Sequence, residues 1–412
     1  MRIAYFAELF PVLSETPYLN IATGLLRRGH DVQVFAQAEP PGPKHPDVAA
    51  LELAARTSYP ALRRRAPWSE RRRRAVALYR EAPTGRHPML RRALNPLRTG
   101  RRALSLEAFF EAGRFMTQLP FHAAYCAFGR EGREAVRLRR LGAFDAPIAV
   151  SFRGRDITHD PRVGGPRLYR DVFREASLLL PMCHAFVPRL EALGAPREHI
   201  VVHPTGIDVR RFAFRAPTPP APGEPLRLVS VARLREKKGL AYAIEAVGRL
   251  RASGVPVCYE IAGDGPLRAA LERQVADAGL GDAVQLRGAL PQAEVRALMD
   301  RSHLLLAPSV VASDGDEEGL PSVIKEALAV GLPVVATRHS GIPEIVIPGE
   351  TGMLAPERDA EALERAIRDL LAVRDQWGAY AIRGRALVER EYDIEGLNDR
   401  LVTLLSGMRR AS

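Results

Sequence analysis

Cysteine is scarce in this chain: Cys126, Cys183 and Cys258 are the only three among 412 residues, far apart, odd in number and without a CxxC pair. That excludes a disulfide framework and offers no zinc signature, which fits a reducing cytoplasm. Long apolar runs are lacking as well, and no stretch approaches the roughly twenty residues needed to span a bilayer. The N-terminal MRIAYFAELFPVLSE has neither a long h-region nor a small-residue cleavage site and reads as a first strand. Core-forming material is present. Hydrophobic residues make up 46% of the chain, enough at this length for about two or three domains.

Acidic charge is thin in the first half. Residues 1–215 hold 36 Lys and Arg against 20 Asp and Glu, a net of +16, whereas residues 216–412 hold 24 against 28, a net of −4. The extreme lies between residues 51 and 105, with 15 Arg and three Glu. There the runs at 63–65 and 71–74, with Arg91, Arg92, Arg101 and Arg102, are interleaved with Leu, Ala, Trp68 and Tyr79, as on basic amphipathic helices. Such a segment can lie on an anionic membrane surface or grip phosphates. A solvated arginine-rich face has the same composition.

The two halves open alike. RIAYFAELF is a strand, LNIATGLLRR an apolar-periodic helix and DVQVFAQ a second strand; later LRLVSVA, GLAYAIEAVGRLRA and VCYEIAGDG repeat the pattern. Between them, residues 213–225, AFRAPTPPAPGEP, are too rich in proline for regular structure and mark a linker. The second half continues with a helix over 266–278, the strand AVQLRG, a helix over 293–299, then HLLLAPS and PVVAT, and it is mainly helical from 359 to 410. Strands alternating with helices predict an α/β fold, with parallel sheets covered by helices on both faces.

Ligands in such sheets bind beyond the carboxyl ends of strands, so the loops after strands are informative. ARLREKKG follows LRLVSVA and places Arg233 and Lys238 where they could meet a diphosphate, though a charged helix entrance looks the same. Gly263, Asp264, Gly265 and Pro266 form a tight turn into a helix, suited to a nucleotide or to a close packing contact. EGLPSVIKE puts Glu318 in a loop and Glu326 on the second turn of a helix whose start holds free amides. Amides favour an anion and a carboxylate accepts from a vicinal diol, the needs of a phosphorylated sugar. A capped surface helix with two solvated glutamates fits the same pattern.

Together, HPTGIDVRRF, SVARLREKKGL, IAGDGPLR, VQLRGALP, the stretch from LLLAPSVVASDGDEEGLP to GIPEIV, and GETGMLAPERD make the chain resemble the retaining glycosyltransferases of family 4. FPVLSETPYLN, LLRRGHDVQVFA and SFRGRDIT are similar to the branch that builds exopolysaccharides of the colanic acid type. The resemblance implies a GT-B arrangement of two facing Rossmann-like domains. An acceptor-side domain spans 1–212, the linker 213–225 and a nucleotide-sugar domain 226–385, with a helical tail, 386–412, placed to pack back on the first domain.

It implies that Arg233 and Lys238 bind the donor diphosphate, Glu326 the ribose and Glu318 the transferred hexose. Gly319, Leu320 and Pro321 offer backbone contacts, and Gly263 and Leu290 border the nucleotide. With two cations on the leaving group, no metal and no cofactor is needed. Asp314 and Asp316 form a DxD, a metal signature of the other major glycosyltransferase fold, here read as a hydroxyl-binding or solvated acidic loop. Many family members carry a first-domain histidine in an HxH-like segment that faces the donor sugar; here the candidate is His122, in FHAAYCAFG, with Ala124 where a second would fall. Ser14, Glu15 and Thr16 replace a common glycine pair, and Arg153 a common histidine before Gly154.

The expected activity is transfer of a hexose from a nucleoside diphosphate sugar, UDP favoured over GDP, to a polyprenyl-linked or oligosaccharide acceptor. The expected location is the cytoplasm, peripheral on the inner, anionic face of the membrane, with no nucleic acid bound. Alternatives are a basic nucleic-acid-binding protein, which would show stacking aromatics and a nucleic-acid motif, or a phosphorylase or epimerase on the same fold. A pyridoxal-dependent phosphorylase needs a cofactor lysine, and the second half holds only Lys237, Lys238 and Lys325.

Overall fold

Each half of the chain builds one six-stranded parallel sheet. The computed structural model describes residues 1–11, 16–40, 46–60, 66–117 and 120–409. The first sheet holds β1 (Arg2–Leu9), β2 (Asp31–Ala38), β3 (Thr57–Ser58), β4 (Ala123–Cys126), β5 (Ile148–Phe152) and β6 (Leu178–Pro181), in the order β3-β2-β1-β4-β5-β6. The second holds β7 (Leu226–Val231), β8 (Val257–Ala262), β9 (Val284–Gly288), β10 (Leu304–Ala307), β11 (Val334–Thr337) and β12 (Gly352–Ala355), in the order β12-β11-β10-β7-β8-β9. Counted from its own first strand, each sheet therefore runs 3-2-1-4-5-6, and the expected pair of Rossmann-like units is present.

Burial explains the strand compositions. Helices cover both faces, so central strands such as Ile148–Phe152 and Leu304–Ala307 are buried at every position and read as unbroken apolar runs. In the first domain a cluster of rings fills the space under the sheet, with Phe35 and Phe115 stacked at 4.1 Å between centroids and Phe6 and Phe144 beside them. β12 is an edge strand of only four residues, too short for its periodicity to stand out in sequence.

The chain crosses between domains twice. It leaves the first sheet where His203 N–H donates to Pro181 O and reaches the second where Arg215 N–H donates to Val330 O. It returns at residues 392–394, with Ile207 N–H on Tyr392 O and Ile394 N–H on Ile207 O. The boundary read at 385 falls inside the helix Trp377–Glu391, which stays on the second domain with Gly384 against Leu328. The helix Ile394–Gly407 lies on the first domain: Arg28 reaches Asp399 at 2.6 Å and Glu395 at 2.9 Å, and Leu401 and Leu405 join the core behind β1 and β2.

The basic tract folds into short helices over 68–104 and 107–113. Several of its arginines are structural. Arg71 donates to Ser105 O, while Arg86 and Arg92 donate to the carbonyls of Ala143 and Leu141 at the end of the helix Gly129–Leu141, and Arg102 pairs with Glu107 and Glu111. Arg72, Arg73, Arg98 and Arg101 remain exposed, with Trp68, Val76, Leu97 and Leu104 also on the surface. The arginines at 63–65 lie outside the described residues.

Candidate functional site

In a sheet of order 3-2-1-4-5-6 the crevice opens where neighbouring strands send their connections opposite ways, here between β7 and β10. The loop after β7 carries Arg233, Lys237 and Lys238; the loop after β10 carries Asp316 and Glu318. They meet. Lys237 Nζ is 3.1 Å from Glu318 Oε1 and 3.0 Å from Asp316 Oδ2, and Lys238 Nζ is 3.1 Å from Glu318 Oε2. Burial alone would raise the Glu318 carboxyl, but the ammonium groups of Lys238 and Lys237 outweigh it and hold the pKa down at about 2. Burial likewise opposes Lys237, whose pKa is nonetheless raised by Glu318 and Asp316. Arg233 is exposed on the same loop, and no ion pair involves it among the described residues.

The EGLP segment turns into the helix Ser322–Val330 with Pro321 as its N-cap. Leu320 is buried, and Gly319 packs beneath Met182 and Phe186 of the first domain. Glu326 lies on the second turn, half-buried, and burial raises its pKa against the pull of Lys325 and Arg296. It lines an interdomain cavity of about 100 Å³ with Ser322 and Gln292 of the second domain and Asn20 and Thr23 of the helix Thr16–Arg27. Leu290, half-buried, precedes Pro291, the N-cap of the helix Gln292–Asp300. Gly263, with φ of 139°, runs so close to Ala232 O that a Cβ would overlap it, so its demand for glycine is met by packing of the β8 turn under the β7 loop.

A further pair supports the acidic loop. His339, fully buried just after β11, faces Glu318 N–H with Nε2 at 3.1 Å and Glu357 Oε1 with Nδ1 at 2.7 Å. The other domain presses on the same loop. A Cβ on Gly154 would overlap Glu317 O and Arg189 pairs with Glu317 at 2.7 Å, while in the turn after β11 Glu344 accepts N–H bonds from His184 and Ala185. In the DxD, Asp316 is held by Lys237, while exposed Asp314 accepts from Asp316 N–H in the tight turn at Gly315. Among the described residues no group of three or more His, Cys, Asp or Glu is arranged to hold a metal ion.

His122 is set apart from this cluster. It precedes β4 at the amino end of the sheet, where its Nδ1 accepts from Arg2 N–H at 2.8 Å and its own N–H donates to Arg2 O. The facing loops come from the carboxyl ends of β5 and β6, so a side chain at the start of β4 points to the wrong end for a donor sugar. The strand end that does approach the cleft reads Ala127, Phe128 and Gly129, with the Arg153 guanidinium 5.7 Å from the Phe128 ring centroid. Ser14 and Glu15 lie outside the described residues, and Thr16 opens the first helix.

Sequence reasoning brought Lys238 and Glu318 to one place but left out Lys237, His339, Glu357 and the Arg189–Glu317 contact. Lys237 was visible as the neighbour of Lys238. The pair of His339 and Glu357 carries no local signature, because its partners come from loops after three different strands.

Residues 214–384 match the family model for glycosyl transferases group 1. WcaL of Salmonella typhimurium, assigned to colanic acid biosynthesis as a glycosyltransferase, is 36% identical, the match covering 98% of this chain and 99% of that one. AmsK of Erwinia amylovora, an amylovoran biosynthesis glycosyltransferase, is also 36% identical, over 95% of this chain and 96% of its own. Among solved structures, Alr3699/HepE of Anabaena, in complex with UDP and glucose, superposes with a TM-score of 0.69 over 99% of this chain and all of that one, at 18% identity.

Proposed function

We propose, on the premise that this chain belongs to the group 1 glycosyl transferases, that it moves a hexose from a nucleoside diphosphate sugar to a lipid-linked or oligosaccharide acceptor with retention of configuration. The fold is the α/β GT-B arrangement, and the chain is a glycosyltransferase of exopolysaccharide biosynthesis. That membership takes the place of the nucleic-acid, phosphorylase and epimerase alternatives.

The observation that carries the finer reading is the Lys237–Glu318–Lys238 cluster at the crevice between β7 and β10. Each Glu318 oxygen accepts one ammonium N–H and keeps a second lone pair, room for two hydroxyls of the transferred sugar. Lys238, Lys237 and Arg233 supply positive charge where the bond from the anomeric carbon to the diphosphate breaks and charge grows on the leaving group, without a metal. Glu326 takes the ribose hydroxyls at the interdomain cavity, with Gly319, Leu320 and Pro321 offering backbone beside it. The acceptor hydroxyl forms the new bond to the same carbon and approaches from the first domain.

UDP-hexose is the first donor to test and GDP-hexose the second. A melting screen against UDP, GDP and their hexose derivatives should raise the melting temperature with one base, because ligands that bind only the folded chain stabilise it. Donor hydrolysis with the same panel should then identify the sugar. Absence of both responses across the panel would refute the reading.

No helix among the described residues is long and apolar enough to cross a membrane. Peripheral attachment through the first domain is supported by exposed Arg72, Arg73, Arg98 and Arg101 together with Trp68 and Leu97, the latter 96% exposed. On this reading the acceptor is presented at the inner face of the membrane.

A further inference from the structure

We propose that His339 is a positioning residue for sugar transfer: Glu357 holds it in the tautomer whose Nε2 is bare, and that nitrogen fixes the backbone of Glu318. The proposal rests on the reading of Glu318 as the group that meets the transferred hexose. It names a residue that does not touch the sugar itself.

The proton positions follow from the donors present. Glu318 N–H can only donate, so His339 Nε2, 3.1 Å away, is the acceptor. A neutral ring then carries its proton on Nδ1, which donates to Glu357 Oε1 at 2.7 Å. The second oxygen, Glu357 Oε2, accepts Val311 N–H at 2.8 Å. One carboxylate therefore orients the ring and ties down the loop after β10, and the ring holds that loop four residues before Ser322. The Glu318 side chain is gripped separately by Lys237 and Lys238. Gly341 N–H on Gly319 O, at 3.0 Å, adds a second tie between the same two loops.

A reversed tautomer would aim Nε2–H at Glu318 N–H, two donors face to face, and the loop would have to move. Displacements of about 1 Å in a positioned group can lower a rate by about 100-fold. Nucleotide contacts through Glu326 lie on the far side of Pro321 and should be little affected.

Glu357→Gln is the discriminating variant, because its amide offers one acceptor oxygen to two donors. With that oxygen on Val311 N–H, its NH2 faces His339 Nδ1 and drives the ring proton to Nε2. In the full-length chain labelled with 15N-histidine, the ring signal lost in His339→Gln should show Nδ1–H in the parent and Nε2–H in Glu357→Gln. Donor hydrolysis, tested with UDP-glucose, UDP-galactose and GDP-mannose, should fall about 10-fold to 100-fold in kcat, while UDP or GDP affinity by calorimetry changes less than about threefold. His339→Gln, whose amide can accept from Glu318 N–H and donate to Glu357, should keep more activity than His339→Leu. A parent ring protonated on Nε2, an unchanged kcat in Glu357→Gln, or a parallel loss of kcat, nucleotide affinity and melting temperature would each overturn the proposal. A parent that binds no nucleotide and turns over no donor overturns the functional reading, and the proposal with it.

Discussion

Lys325 ties the second domain to the first crossing segment and can be tested by pH. It is fully buried on the helix Ser322–Val330, with Nζ 2.6 Å from Thr205 O and 3.0 Å from Thr205 Oγ1 on the first crossing segment, and 5.8 Å from the Tyr392 ring centroid at the second. Burial pushes its pKa down from 10.5 to about 7, against the opposing pull of Glu326. Between those values the unfolded chain holds a proton at this site that the folded chain has released, so stability rises with pH across the window. The loss on acidification runs from 10.5 down to about 7 and is complete below that, where folded and unfolded chains both carry the proton. At about 1.36 kcal/mol per pKa unit, moving from pH 6.5 to 9.5 adds about 3 kcal/mol in favour of the folded chain. Lys325→Met keeps the length and removes the titration. It leaves the Thr205 carbonyl unpaired, which costs about 1–3 kcal/mol at every pH and so does not alter the slope. The parent should therefore gain on the variant by about 3 kcal/mol between pH 6.5 and 9.5, or about 6–12 °C in melting temperature at the scaling for domains of this size. Denaturant titration at both pH values, in parent and variant, measures the double difference. A difference that stays flat would refute the lowered pKa of the buried Lys325.

Glu318→Gln should lower kcat by about 100-fold or more while leaving nucleotide affinity within about threefold, and Glu326→Ala should weaken nucleotide binding by about tenfold or more, both read by kinetics and calorimetry with UDP and GDP. Removing Arg233 or Lys238 should slow transfer by about 100-fold, and activity should survive EDTA; full loss with EDTA and rescue by manganese would promote Asp314 and Asp316 to ligands. The chain should sediment with anionic but not neutral liposomes, less so in high salt, and Arg72→Ser with Arg73→Ser and Leu97→Ser should weaken this. Arg71 is left intact in that variant because it anchors Ser105 O, and equal sedimentation on both vesicle types would refute membrane docking.

Much of the fold was legible because it depends on local periodicity. Runs such as LRLVSVA and HLLLAPS are apolar over a strand length, GLAYAIEAVGRLRA repeats at helical spacing, and their alternation dictates a parallel sheet with crossover helices. The rule that ligands gather at the carboxyl ends of strands singles out the loop of Arg233 and Lys238, and the family resemblance adds Glu318 to it; only the sheet order makes their two loops neighbours. The helix start at Ser322 was equally local, set by Pro321 and the apolar face behind it.

What the tertiary structure alone decided were the facts that depend on which strand ends face each other. His122 and the residues after β4 are a few positions apart in sequence, yet a strand separates them, and only the sheet shows that His122 sits at its amino end. The basic tract looked uniform, but packing divides it into arginines bonded to helix-end carbonyls and arginines left at the surface. The tautomer of His339 is set by Glu318 and Glu357, 21 and 18 residues away, and the charge state of Lys325 by burial against Thr205, 120 residues away. Composition and spacing fix which chemical groups a chain possesses; burial and the donor or acceptor placed opposite fix whether each group is charged, where its proton sits and what it can reach, and those are properties of the folded neighbourhood.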